Sequence, residues 1–432
     1  MADIHAVVDE GLGNSAYLVD LGDGRALAVD AARDLRALDR EAAAHGLKVV
    51  VAADTHLHAD FLSGATRLAA RDGAAVYASA AGNRLFPHTP LDDGDEVGLG
   101  GLSLRAWATP GHTGEHTAYV LLDGPDLLAV FTGGSLLVGS VARTDLVSPD
   151  DTERLARAQY RSLQRLVGLP PETPVLPTHG AGSFCSATPG SARTSTVGRE
   201  LATNPLLVAR DEDAFVAQLL AGLGSFPPYF LLLGEKNRRG PAIPSEAVLP
   251  RLAPAEVGRT QVLDVRVPED WAAGHIPGSL SITLRDQFAT WLGWLLPDLQ
   301  TPLVVVRDPD QDLDELLWQA RKIGYDGLVG ELDGGMSRWA AAGLAVATTP
   351  LLAPAHVDAA LLVDVRQAGE YARGHARGAR NVELGRVVEQ APEGPIVTMC
   401  GHGERAATAA SLLERAGRRD VAMVMAGPSA WP

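Results

Sequence analysis

The chain is short of several features that would narrow its chemistry at once. Only two cysteines, Cys185 and Cys400, occur in 432 residues. That is too few for a disulfide-stapled scaffold, and free thiols are expected in a large chain without a secretion signal. The opening Met1-Ala2-Asp3-Ile4-His5 has neither a basic nor an apolar stretch, so no signal peptide is read from it. No uninterrupted apolar run approaches the roughly 20 residues that cross a bilayer, and no membrane segment is expected. Basic residues are in deficit, with 37 Lys and Arg against 53 Asp and Glu and a formal net charge of −16. Such a surface repels phosphate backbones and anionic lipid, which argues against nucleic-acid and membrane partners. What is there is globular: 46% hydrophobic and 21% charged residues, a balance that excludes disordered and fibrous classes and suits a cytoplasmic protein of about two to four domains.

Mixed strand and helix signals fill the first 240 or so residues. Ala16–Asp20 and Ala26–Val29 read as paired strands around Gly22-Asp23-Gly24. Leu35–His45 has apolar residues at helical spacing and stops at Gly46. Lys48–Ala52 is a strand that runs into Thr55-His56-Leu57-His58-Ala59-Asp60, and further strands are expected at Ala74–Ala78, Leu102–Trp107, Ala118–Leu122 and Leu127–Thr132. This alternation predicts a layered α/β sandwich. The Pro- and Gly-rich stretch Asn204–Pro250 reads as an extension grading into a linker.

The rest of the chain repeats itself. Leu263-Asp264-Val265-Arg266 recurs as Val363-Asp364-Val365-Arg366, and Gly274-His275-Ile276-Pro277-Gly278 as Gly374-His375-Ala376-Arg377-Gly378. One fixed offset for both segments predicts two copies of a small α/β domain. In the second copy, the strand Pro395–Met399 runs into Cys400-Gly401-His402-Gly403-Glu404-Arg405, and a helix is expected over Ala406–Ala416. A cysteine between a buried strand and a helix N-terminus lies under backbone N–H groups, which favour a thiolate or a bound anion. Gly401 and Gly403 let the loop curl, and Arg405 can hold an anionic substrate such as thiosulfate. The loop Cys400–Arg405, with His402 and Glu404 inside it, resembles the C-x-x-G-x-R loop of the rhodanese (sulfurtransferase) family. The repeated Asp-Val-Arg and Gly-His segments, and Gly334-Gly335-Met336-Ser337-Arg338-Trp339, are similar to other signatures of that family. Four residues separate Cys400 from Arg405, which the resemblance ties to sulfur transfer rather than to the related phosphatases with five. The first copy has Arg307-Asp308-Pro309-Asp310 after its strand Leu303–Val306. With no cysteine there it forms no persulfide, and a structural role is expected.

The histidines carry the other signal. His56-x-His58-x-Asp60 follows one strand, Thr109-Pro110-Gly111-His112 another, and His179 lies in Leu176-Pro177-Thr178-His179-Gly180. Imidazoles and a carboxylate on loops at strand ends suggest a metal site. Together these motifs resemble the metallo-β-lactamase superfamily, and within it the persulfide dioxygenases that are often fused to rhodanese domains. The resemblance implies an αββα sandwich over residues 1–245, followed by two rhodanese-like α/β domains over 251–348 and 354–432. Two positions depart from the pattern: Phe61 stands where a further histidine belongs, and Gly134 replaces the aspartate of a Thr-Gly-Asp segment. The set left intact by the motif is His56, His58 and His112, with Asp60 and His179 as supporting partners. It implies one iron or zinc ion on a degenerate site, or a vestigial domain; Cys185 is expected in the core.

The expected function is sulfur metabolism, in which Cys400 takes sulfane sulfur from a small thiol persulfide or thiosulfate beside a persulfide dioxygenase-like domain. A zinc-dependent thioester hydrolase and a non-catalytic sulfur carrier or sensor are the alternatives. A homodimer is left open.

Overall fold

The computed structural model describes residues 3–186, 192–244 and 248–431; of the expected domain limits, 1, 245 and 432 lie outside them. It divides into two compact units, one of residues 1–244 with Arg321–Gly324, the other of 245–320 and 325–432. Among the described residues no helix is long and apolar enough to cross a membrane.

The first unit is built on two six-stranded sheets. One runs in chain order through Ile4–Asp9, Asn14–Asp20, Arg25–Val29, Lys48–Asp54, Ala75–Ser79 and Thr89–Leu91, antiparallel at first and parallel from Arg25–Val29 onward. The other is ordered Ser195–Thr196, Pro174–Pro177, Asp126–Gly133, Thr117–Asp123, Leu102–Ala108 and Glu96–Gly98. Period-two alternation explains the layering, because successive strand residues face opposite sides. Tyr17, Val19, Leu27, Val29 and Val51 meet Leu104, Tyr119, Leu121 and Phe131 between the sheets. Their neighbours Leu18, Ala28 and Ala52 turn outward onto Leu38 and Leu68 of the helices Arg36–Ala44 and Ala65–Asp72. On the far side, Val120 and Val130 pack on Ala156 and Leu163 of Thr152–Leu166 and on Phe215 of Glu212–Ala221. Each fully buried aliphatic or aromatic side chain there stabilises by about 1.5–3 kcal/mol. The helix Val197–Thr203 ends just before the expected linker Asn204–Pro250, which itself carries the helices Glu212–Ala221 and Phe230–Arg239. Asp211 caps Glu212–Ala221 by accepting from the Ala214 N–H at 2.8 Å, a local signal that the Pro and Gly content obscured.

The second unit holds both copies, each around a small parallel sheet: Arg251–Leu252, Leu328–Leu332, Leu303–Val306, Gln261–Asp264 and Leu280–Ser281 in the first; Arg380–Asn381, Leu362–Asp364, Ile396–Met399 and Val421–Met423 in the second. The register makes the repeat explicit. Asp264 pairs with Val306 as Asp364 pairs with Met399, so Arg307 stands where Cys400 stands. Arg266 grips Asp264 and the Gly274 carbonyl, and Arg366 grips Asp364 and the Gly374 carbonyl, in the same way.

Candidate functional site

Chain ends of the strands in the first unit converge on a buried polar cluster. Asp30 follows Arg25–Val29, His56 to Asp60 follow Lys48–Asp54, His112 and His116 lie between Leu102–Ala108 and Thr117–Asp123, and His179 follows Pro174–Pro177. All five histidines are shielded from solvent.

Hydrogen bonds fix the protonation of three of them. The His112 Nδ1 lies 2.7 Å from the Arg143 carbonyl, which only accepts, so the proton is on Nδ1 and Nε2 is bare. The Thr55 hydroxyl donates to Asp30 at 2.7 Å and therefore accepts from the His56 Nδ1 at 2.8 Å. The Asn14 amide donates to Asp60 at 2.8 Å, which turns its Oδ1 to accept from the His179 Nδ1 at 3.0 Å. His56, His112 and His179 thus each carry a proton on Nδ1 and turn Nε2 inward, and ligand atoms of these three lie within 4.8 Å of one another. The His56 and His179 Nε2 atoms are 3.2 Å apart, a spacing two lone pairs tolerate only with a shared proton or a cation. The His112 Nε2 is buried with no hydrogen-bond partner. Pinned Nδ1 atoms and converging Nε2 atoms are the donor set a metal ion selects. Burial, reinforced by the neighbouring imidazoles, pushes His56 well below its ordinary range and His112 down to about 3, so both rings stay neutral and able to ligate.

The geometry adds His179 to the histidines of the motif, and His58 stays among them: its Nδ1 is buried with no hydrogen-bond partner, and ligand atoms of His58, Asp60 and His179 lie within 4.8 Å of one another. His58 turns its Nε2 to Asp30 at 3.2 Å and stacks its ring on Phe61, with centroids 4.1 Å apart. Burial opposes charge on both, yet the pairing lowers the Asp30 carboxyl below its usual range and raises His58 above its own. His179 belongs to both groups of possible ligands, and the Asp60 carboxylate lies 3.4 Å from its Nδ1. His116, Asp30 and Asn14 are the residues that the sequence left unremarked. His116 accepts the Gly134 N–H at 2.9 Å through Nε2 and is tied to Thr109 through Nδ1 at 2.8 Å, so it anchors a loop. Gly134 does more than lack a carboxylate. A Cβ there would sit 2.3 Å from the His112 Cδ2, because the imidazole leans into that space. Cys185 is buried near this cluster; burial and the Asp60 carboxylate push its thiol well up, which makes it a poor thiolate.

In the second unit, Cys400 ends the buried strand Ile396–Met399, and its Sγ accepts the Gly403 N–H at 3.1 Å. Gly403 has φ 110° and a Cβ there would strike Met425, so the loop needs glycine at that position. The helix Glu404–Arg415 follows at once. Gly401, His402 and Glu404 complete the loop, and His402 is exposed. Arg405 is not turned to an empty anion site as its position in the motif suggested. Its two terminal nitrogens donate to the Glu370 carboxylate at 2.6 and 2.9 Å. In the first copy, Arg307 fills the equivalent loop with its own side chain, bonded to Glu331 and to the carbonyls of Asp308 and Gln311.

Residues 9–179 match the metallo-beta-lactamase superfamily, and 252–342 and 349–432 each match the rhodanese-like domain. A hydroxyacylglutathione hydrolase of Methylococcus capsulatus is 32% identical over 224 residues, 45% of this chain and 82% of that one. A mitochondrial persulfide dioxygenase of Homo sapiens is 30% identical over 171 residues, 39% of this chain and 60% of that one. The chain spans 62% of the length of the hydroxyacylglutathione hydrolases of Cereibacter sphaeroides that it matches. The solved metallo-beta-lactamase from Staphylococcus aureus subsp. aureus COL superposes with a TM-score of 0.69 at 27% identity, over 77% of this chain and 98% of that one. The chain therefore belongs to the metallo-beta-lactamase superfamily and carries two rhodanese-like domains behind that fold.

Proposed function

We propose that the protein is a sulfurtransferase of sulfur metabolism that carries a persulfide on Cys400, joined to a persulfide dioxygenase-like domain whose metal site is degenerate. The observation that carries the reading is the Gly403 N–H directed at the Cys400 Sγ, at the mouth of a helix and at the end of a buried strand. Backbone N–H groups and the helix N-terminus stabilise negative charge on that sulfur before and after it accepts another. Thiocyanate formation from thiosulfate and cyanide tests it; Cys400→Ser should abolish the activity, and undiminished transfer would sink the assignment.

In the first unit, His56, His112 and His179 would hold one ion through Nε2. Bound iron would supply oxygen chemistry and bound zinc a Lewis acid. The residues themselves hold the rings oriented through Thr55, Arg143 and Asn14, and exclude water by burial. Phe61 and Gly134 remove two ligand positions of the family pattern, so the site offers imidazoles where a carboxylate would otherwise serve. Thioester hydrolysis is the second reading, favoured by the similarity to hydroxyacylglutathione hydrolases. Metal analysis of the purified protein separates the two: iron supports oxidation and zinc supports hydrolysis.

A further inference from the structure

The loop around Cys400 has its cationic side chain already occupied. Glu370 takes both terminal nitrogens of Arg405, and Asp364 takes Arg366 in the same bidentate way at 2.9 and 2.7 Å. These four charges sum to zero. The Trp291 ring of the first copy has its centroid 5.8 Å from the Arg405 guanidinium carbon. Glu370 is itself fixed, because its carboxylate also accepts, at 3.1 Å, the N–H of Gln367, the N-cap residue of the helix Ala368–Arg373. Burial works against its charge, but Arg405 holds the carboxyl below its usual range. An incoming donor therefore meets backbone N–H groups and a neutralised arginine.

We propose that Glu370 is a specificity-determining residue that turns the Cys400 site away from dianionic thiosulfate and toward thiol persulfides. The inference rests on the sulfurtransferase reading above. In the step concerned, Cys400, having released its proton to solvent, attacks the outer sulfur of the donor. The donor S–S bond breaks, its electron pair leaves with sulfite or with the thiolate, and Cys400 retains one added sulfur. Thiosulfate brings two negative charges to the loop, one largely on its outer sulfur and a second spread over a sulfonate that a free cation would hold. A persulfide brings one charge at the reacting sulfur. Removing the carboxylate charge therefore helps the first donor more than the second.

The test measures kcat/KM for thiosulfate and for glutathione persulfide with the full chain and with Glu370→Gln, which retains the helix cap and an acceptor for Arg405. The ratio of thiosulfate to persulfide efficiency should rise about tenfold, the effect of one unit charge a few ångströms away in a partly solvated site. Glu370→Asp keeps the charge and should keep the wild-type ratio, which a merely structural role would not require. An unchanged ratio in Glu370→Gln, with both donors still active, overturns the selectivity alone. Transfer from neither donor in the wild-type protein overturns the sulfurtransferase reading, and this inference with it.

Discussion

At the scale of single residues, the candidate metal site depends on a ring and a hydrogen atom. Gly134 is backed by His112, and even a methyl group there would lie far inside contact distance of that imidazole. Gly134→Ala should therefore displace His112 and lower metal occupancy, read by metal analysis on parallel preparations; occupancy equal to the parent would show that His112 is not a ligand. Gly134→Asp, which the motif alone would recommend as a repair, meets the same collision and should raise occupancy only if His112 rotates. The buried imidazoles also set an acid limit. Burial, and then His179, hold His112 at about 3 in the fold, whereas the unfolded ring titrates near about 6.5. Between those values the unfolded chain binds the extra proton, so metal-free stability is whole above pH about 6.5 and falls as pH drops toward 3. Thermal melts of metal-free protein across that range check the direction, and His112→Gln should flatten the slope. Much of both candidate sites was legible in the sequence, since His56 and His112 in one and Cys400 in the other lie at strand ends where the sequence pattern placed them. The partners that orient His58 and His179 were not, because Asp30 holds His58 across 28 residues of chain and Asn14 holds His179 across 165. Nor was the pairing of Arg405 with Glu370, which spans 35 residues.

At the scale of elements, the helix Glu404–Arg415 joins the two copies in the second unit. Glu414 accepts from His275 at 3.0 Å and is also bound by the Thr349 hydroxyl, and the Ser411 hydroxyl accepts the Ser281 N–H at 3.0 Å. The loop it carries is held from below, where the Thr398 hydroxyl donates to the Ala406 carbonyl at 2.9 Å. Gly403 is the joint between loop and helix. Gly403→Ala forces a left-handed backbone on a side chain, at about 1–2 kcal/mol, and drives its Cβ into Met425. It should slow alkylation of Cys400 and lower the melting temperature together; normal alkylation would show that the loop tolerates a different curl. Strand and helix placement was readable because period-two and helical patterns are local. The helices Glu212–Ala221 and Phe230–Arg239 were missed because Pro and Gly around them read as linker, while caps such as Asp211 carried the contrary signal.

At the scale of the whole molecule, one chain carries two candidate centres of unequal equipment. The loop at Cys400 directs a backbone N–H at its sulfur, whereas the histidine cluster has no carboxylate at position 134. An ion held there without that carboxylate would be more positive and more loosely bound, so oxygen uptake with glutathione persulfide should be much lower than sulfur transfer on the same preparation, even with iron added. Robust iron-dependent uptake, lost in His56→Ala and His112→Ala, would show that imidazoles suffice. The central claim is the persulfide itself, and intact-mass analysis after exposure to glutathione persulfide under non-reducing conditions tests it most directly. The account predicts a gain of one sulfur atom on the wild-type chain, released by cyanide and absent from Cys400→Ser; a chain that gains no sulfur, or a serine variant that gains it equally at Cys185, would contradict it.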